Sequence, residues 1–325
     1  MSDATIWVLL PVYNGAHYLA PMLDSLLGQT HREWTLLCRD DGSSDGSPAI
    51  LSRYAEQHPG KVLIEPEPVG NIGVKASFSH LMSRALVKTE NAQHPVYFAL
   101  ADQDDLWLPH KLEKLLHAMR DIEQSHAPAT PVLIHSDLRV VDQDGAEMAP
   151  SFMAYQGLKA ERKGFGAQLI SNTLTGCTAL MNRPLLSMSS PVHPESIMHD
   201  WWISLLASAF GQRHFVAEAL IDYRQHANNT IGAKAWQAGK SGYRRRTGLL
   251  RLPQALYHLL RVCVLVFRSE HNTIFQANAR QAKAFAEKFG PRLSARDRLY
   301  LWLTRGLSLP FPPLQRVLFR VLRHS

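Results

Sequence analysis

Residues 101–107 read Ala-Asp-Gln-Asp-Asp-Leu-Trp, so Asp102, Asp104 and Asp105 fall directly after the apolar run Val96–Leu100. Like charges this close repel one another unless a cation or a set of donors absorbs them. In an extended segment alternate side chains share a side, which places Asp102 and Asp104 to grip one hard divalent ion. Diphosphate oxygens and water would complete its shell. A solvated acidic turn ahead of a helix near Pro109 would use the same letters. A second cluster, Arg39–Gly46 (RDDGSSDG), closes another apolar run. Its Asp-Gly steps form turns and Asp45 suits a helix N-cap, which leaves Asp40 and Asp41 over. A carboxylate at a strand end can accept the imide N–H of uracil or thymine. Asp200, in His199-Asp200-Trp201-Trp202, opens a helical pattern that runs to Phe210. The helix dipole favours a carboxylate there, and beside aromatic walls it can also deprotonate a hydroxyl.

The elements that must position these residues alternate along the first half of the chain. Thr5–Leu10, Trp34–Leu37, Val62–Ile64, Val96–Leu100 and Val132–His135 read as strands. Tyr18–Leu27, Pro48–His58, Ser77–Val87 and Pro109–Ser125 have the spacing of helices with one apolar face. That order predicts an α/β fold around a mostly parallel sheet, whose ligand site lies beyond the carboxyl ends of the strands. The polar clusters fall at those ends.

Other chemistries lack their letters. There is no Gly-x-Gly-x-x-Gly, no Walker lysine loop and no Gly-x-Ser-x-Gly. The histidines at 193, 199, 214 and 226 lack the spacing of a zinc site. The basic, Gly-rich triphosphate loop of a nucleotidyltransferase is replaced by Pro11-Val12-Tyr13-Asn14. Three cysteines, Cys38, Cys177 and Cys263, make no disulfide framework and fit a reducing compartment. Met1–Asn14 does not have the pattern of a secretory leader.

Charge is uneven. The net charge is +7, yet residues 240–325 alone carry seventeen Lys and Arg against three acids. Small and polar residues at 232–242 mark the expected boundary, followed by helical patterns at Leu252–Phe267, Thr273–Phe289 and Leu314–Leu322. The apolar run Val262–Phe267 is far shorter than the roughly 20 residues that cross a bilayer. Arginines opposite an apolar face, with Trp302, Phe311 and Phe319, suit helices lying on an anionic membrane surface. The same helices would also suit packing on the preceding domain. No nucleic-acid-binding motif accompanies the charge.

Seven short strings, in order, resemble family 2 glycosyltransferases of the GT-A fold. They are Pro11-Val12-Tyr13-Asn14, Asp40-Asp41-Gly42-Ser43, Gly70-Asn71-Ile72-Gly73, Asp102-Gln103-Asp104, Gly176-Cys177-Thr178, His199-Asp200-Trp201-Trp202, and Tyr223-Arg224-Gln225-His226 with Asn229. The Asp102–Trp107 string is similar to the rhamnosyltransferase-like branch. The resemblance implies a GT-A domain over 1–235 and a basic helical extension over 236–325. It implies a nucleotide-sugar site of Pro11, Tyr13, Asn14, Asp40, Asp41, Asn71, Gly73, Asp102 and Gln103. Metal ligands would be Asp102, Asp104 and His226 for Mg2+ or Mn2+, and the catalytic base would be Asp200. The acceptor side would be Gly176, Cys177, Thr178, Trp201 and Trp202. Lys111 is expected to be a solvated helix-face lysine.

The implied activity is inverting transfer of one sugar from a nucleoside diphosphate, with rhamnose from dTDP-rhamnose favoured. The acceptor would be a saccharide or lipid-linked saccharide of a bacterial surface polysaccharide, met at the cytoplasmic face of the membrane. A UDP-hexose transferase and a non-catalytic GT-A-like scaffold are the alternatives.

Overall fold

A computed structural model describes residues 4–66, 70–160, 163–226 and 269–306. The expected helices Leu252–Phe267 and Leu314–Leu322, the boundary at 232–242 and Asn229 lie outside the described residues.

One half of the sheet is parallel, in the order β3 (Val62–Ile64), β2 (Trp34–Asp40), β1 (Thr5–Val12), β4 (Val96–Leu100). The other half is mixed. Beyond β4 come β8 (Ala179–Asn182), β6 (Val132–Val141), β9 (Gln212–Arg224) and the short β5 (Leu106–Trp107), with β7 (Glu147–Ala149) paired to β6. The GT-A expectation holds. The short edge strands and β9 were not expected, because their residues are a two-residue pairing, a polar-rich run and a motif.

Helices cover both faces, so β1 reads as a continuous apolar run rather than an alternating one. Ile6, Val8, Leu10 and Val12 enter one core with α1 (Ala16–Leu27), α2 (Ser47–Gln57) and α4 (Lys111–Gln124). Leu9 enters the other, with α3 (Val74–Lys88), α6 (Phe165–Ile170), α7 (Arg183–Ser189) and α8 (His199–Phe210). The one-turn helix α5 (Phe152–Tyr155) packs near β6.

The second core does not stop at residue 226. Helix α9 (Ser269–Phe289) brings Ala282, Phe285 and Phe289 into it, and α10 (Ala295–Gly306) brings Leu301. Phe285 meets Trp202 at 5.3 Å and Phe165 at 5.2 Å between ring centroids. Gln281 Oε1 accepts the Ile197 amide at 2.8 Å, tying α9 to the segment that leads into α8. For these residues the expected division near 235 is one of composition, not of packing. Among the described residues no helix is long and apolar enough to cross a membrane.

Replacing fully buried Phe285 by Ala should cost about 3–5 kcal/mol. Denaturant unfolding should show that loss in a single transition that includes the sheet. A catalytic-domain transition that stays unchanged would mean the extension folds apart.

Candidate active site

Strands β2, β1 and β4 lie side by side and parallel, so the loops after them converge at one sheet edge. Three side chains tie those loops together by imitating backbone. Gln103 accepts the Tyr13 amide at 2.8 Å and donates to the Tyr13 carbonyl at 3.0 Å, joining the loops after β4 and β1. Asn14 sits at φ 47°, a left-handed position that Asn tolerates, and its Oδ1 accepts the Ser44 amide at 2.8 Å. Asp45 accepts the amides of Ala16 and Ser47, joining the starts of α1 and α2. Gln103 and Asn14 were expected to bind nucleotide. The amide of Gln103 and the Oδ1 of Asn14 are spent on the loops, while Tyr13 stays exposed beside them.

Asp40 and Asp41 differ in what they have left to offer. The Asp41 carboxylate pairs with Arg39 and accepts the amides of Ile72 at 2.9 Å and Gly73 at 2.8 Å. Burial raises its pKa, but those amides and the guanidinium outweigh burial and hold it below the ordinary carboxylate value. Asp41 therefore fastens the Gly70–Gly73 loop. Asp40 uses Oδ2 on the Ser43 amide at 2.9 Å, and its buried Oδ1 has no hydrogen-bond partner among the described residues. Of the two carboxylates, Asp40 is the one with an oxygen left unpartnered.

The acidic loop after β4 is held from two sides. Strand β5 pairs with β9, and Arg224 at the end of β9 donates its amide to Asp105 at 3.4 Å and its Nε to the Asp104 carbonyl at 3.2 Å. His226 Nε2 lies 2.8 Å from Asp104 Oδ2, and its ring stacks on Tyr18 at 4.8 Å. Beneath the loop, ligand atoms of Asp102, Asp105 and Cys177 lie within 4.8 Å of one another. Lys111 closes the floor. It is fully buried, donates to the Cys177 carbonyl at 2.8 Å and lies over the Trp107 ring. The expected solvated lysine is thus an internal counter-ion, and burial depresses its pKa well below the ordinary value.

The carboxylates around Lys111 outnumber it. Burial first, then the charges of Asp104 and Asp200, push Asp102 up to about 7. Burial first, then the charges of Asp104 and Asp102, raise Asp105 well above the usual range. Hard carboxylate oxygens carrying unrelieved negative charge suit Mg2+ or Mn2+. The Cys177 thiol, itself pushed up by burial, stays protonated and contributes no anionic ligand. Expected on the acceptor side, it lies among the Asp102 and Asp105 carboxylates.

Asp200 stands at the first turn of α8, close enough for its charge to act on Asp102. The cleft therefore brings the acidic loop and the second carboxylate together. Burial pushes Asp200 up to about 7, against hydrogen bonds from the Trp201 amide, the Asn172 side chain and the Gly176 amide. Gly176 has no room for a side chain, because a Cβ would come within 3.0 Å of His199 Nε2 and 3.6 Å of Asp200 Cβ. Thr178 turns back to the Thr175 carbonyl at 2.7 Å. Trp201 is half-buried and donates to the Gln168 carbonyl at 2.5 Å. Trp202 was expected to line the acceptor side, but it is fully buried against Phe285 and Phe289 and is core. Sequence reading passed over Asn172, Arg39 and Tyr18. Nothing in their local letters signals that they reach Asp200, Asp41 and His226.

The family model described as Glycosyl transferase family 2 matches residues 7–186. The chain belongs to that family. It is a glycosyltransferase enzyme, and the scaffold alternative falls. The chain is 27% identical over 238 residues to TuaG of Bacillus subtilis, a glycosyltransferase assigned to teichuronic acid biosynthesis, covering 72% of this chain and 83% of that one. It is 26% identical over 209 residues to WfgD of Escherichia coli, covering 63% and 71%. WfgD is named a UDP-Glc:alpha-D-GlcNAc-diphosphoundecaprenol beta-1,3-glucosyltransferase. Residues 1–349 of S. aureus TarS, solved with UDP, superpose with a TM-score of 0.53 at 15% identity, covering 99% of this chain and 90% of that one. That likeness is one of fold.

Gly15 tests the clamp between the first and third loops, since a Cβ there would fall 2.4 Å from Gln103 Oε1. Gly15→Ala should lower turnover about tenfold or more through the displaced Gln103. In a Gln103→Ala background the same change should add little, which is the non-additivity of a shared contact. Fully additive losses in kcat/KM would sink the clamp.

Proposed function

We propose that this enzyme transfers a single sugar, with inversion, from a pyrimidine nucleoside diphosphate to a saccharide hydroxyl. The observation that carries the reading is the meeting of two unlike carboxylate sites in one cleft. An acidic loop faces the leaving group, and Asp200 stands apart at a helix start. Direct displacement at an anomeric carbon needs both, a base for the incoming alcohol and charge neutralisation for the departing diphosphate.

Asp41, with Asp40 beside it, would accept the imide N–H shared by uracil and thymine, with Tyr13 beside the base and Asn71 and Gly73 on the neighbouring loop. Pro11 and the backbone of the first loop would line that pocket. Asp102 and Asp104, with His226 against Asp104, would hold Mg2+ or Mn2+; the ion, when bound, supplies charge neutralisation to the diphosphate. Lys111 below keeps Asp102 and Asp105 in place without reaching the ligand. Asp200 would take the proton from the acceptor hydroxyl as the alcohol attacks. Gly176 keeps the approach open, and Trp201 flanks it.

The Asp102–Trp107 string supports dTDP-rhamnose as donor. A UDP-hexose is the second reading, supported by the donor in the name of WfgD and by the UDP bound to TarS. A lipid-linked glycan of a bacterial surface polysaccharide is the proposed acceptor, supported by the names of TuaG and WfgD. Work at the inner face of the membrane fits the basic composition of residues 240–325. Exposed Trp302 and Leu299 on α10 would add interfacial contacts.

Asp104→Ala should abolish donor hydrolysis and transfer that depend on Mn2+; turnover at the wild-type level would remove the metal assignment. Asp200→Asn should bind donor normally and transfer about a hundred- to ten-thousand-fold more slowly. A base must be ionised to act. With its carboxyl near 7, single-turnover transfer at saturating donor should fall about tenfold per pH unit below that point and level off above it. A flat profile between pH 5 and 8 (about the range a histidine or such a carboxyl spans) would remove Asp200 as base.

A further inference from the structure

We infer that Arg39 is a positioning residue for the donor. Through Asp41 it latches the Gly70–Gly73 loop onto the end of β2, where the nucleoside is to be held. The inference rests on the nucleoside diphosphate reading above.

Arg39 is the penultimate residue of β2, beside the buried Leu36, Leu37 and Cys38, and is itself fully buried. A guanidinium in such a place is costly unless its charge and its N–H groups are matched. Its charge and its two terminal nitrogens are matched three ways. Arg39 pairs with Asp41, donates to Ser77 Oγ on the first full turn of α3 at 2.9 Å, and donates to the Gly70 carbonyl at 3.1 Å. Asp41 completes the circuit on the amides of Ile72 and Gly73. The loop is thus gripped at its first carbonyl and its last two amides, from one ion pair. At Gly42, where φ is 81°, a Cβ would stand 3.2 Å from the Asn71 amide, so the two loops meet backbone to backbone.

Only a planar fork holds three acceptors lying in different directions; a lysine ammonium on a flexible stem reaches fewer. Without Arg39 the Asp41 carboxylate would stay buried against two amides and no cation. Either it takes up a proton or the loop lifts, and in both cases Asn71 loses its fixed place beside the donor.

The test follows amide hydrogen exchange at Ile72 and Gly73 in the full chain, with UDP and dTDP titrated by calorimetry. In Arg39→Met both amides should exchange about tenfold faster or more, while the amides of β1, β2 and β4 stay protected. Nucleotide affinity should weaken about tenfold, with kcat at saturating donor within about threefold of wild type. Arg39→Lys should fall between, and Ser77→Ala should move both readouts the same way by less. These two variants decide the matter should Arg39→Met fail to fold. Unchanged exchange at Ile72 and Gly73, or a loosened loop with undiminished nucleotide affinity, overturns the latch. If the wild type bound neither nucleotide, the exchange result would still judge the latch and only the donor reading would fall.

Discussion

The constraint on which this structure turns is an excess of negative charge gathered in one cleft. Asp102, Asp104, Asp105 and Asp200 act on a common space, and one buried cation, Lys111, lies beneath them. Burying carboxylates is expensive, and here the cost is held rather than cancelled, as the raised Asp102 and Asp200 attest. A fold that merely sought stability would have placed these side chains in water. Polar groups left short of charge balance mark the place where a ligand completes the structure.

Keeping such a cluster open requires stiff surroundings, and the loops supply their own cross-ties. Gln103, Asn14, Asp41 and Asp45 each spend a side chain on backbone of another loop. The cleft rim is therefore a mesh of side-chain-to-backbone bonds across the ends of β1, β2 and β4. Motif residues divide into two kinds. Some hold the loops, and a few, Asp40 among them, keep an atom free.

The C-terminal helices add a second kind of support. Trp202 follows the proposed base by two positions and is locked between Phe285 and Phe289 of α9. Gln281 fixes the approach to α8. The basic extension is thus coupled to the helix that carries Asp200.

Local pattern was enough for much of this. The apolar runs of β1, β2 and β4, the one-faced helices between them, and the carboxylates after the strands were legible because each rests on neighbours within a few positions. The α/β class followed from their order, while the GT-A fold and the grouping of Asp102, Asp104 and Asp200 were implied by the resemblance of seven short strings. What sequence could not decide is which polar atoms remain free, since that depends on partners far along the chain. Asp41 accepts the amides of Ile72 and Gly73, thirty-odd positions on. Lys111 left solvent for the Cys177 carbonyl, and Trp202 left the acceptor side for Phe285. Strand β9 and the fusion of α9 with the core were likewise set by tertiary pairing. Periodicity reports which face a residue turns inward, whereas hydrogen-bond satisfaction is settled only when distant segments meet.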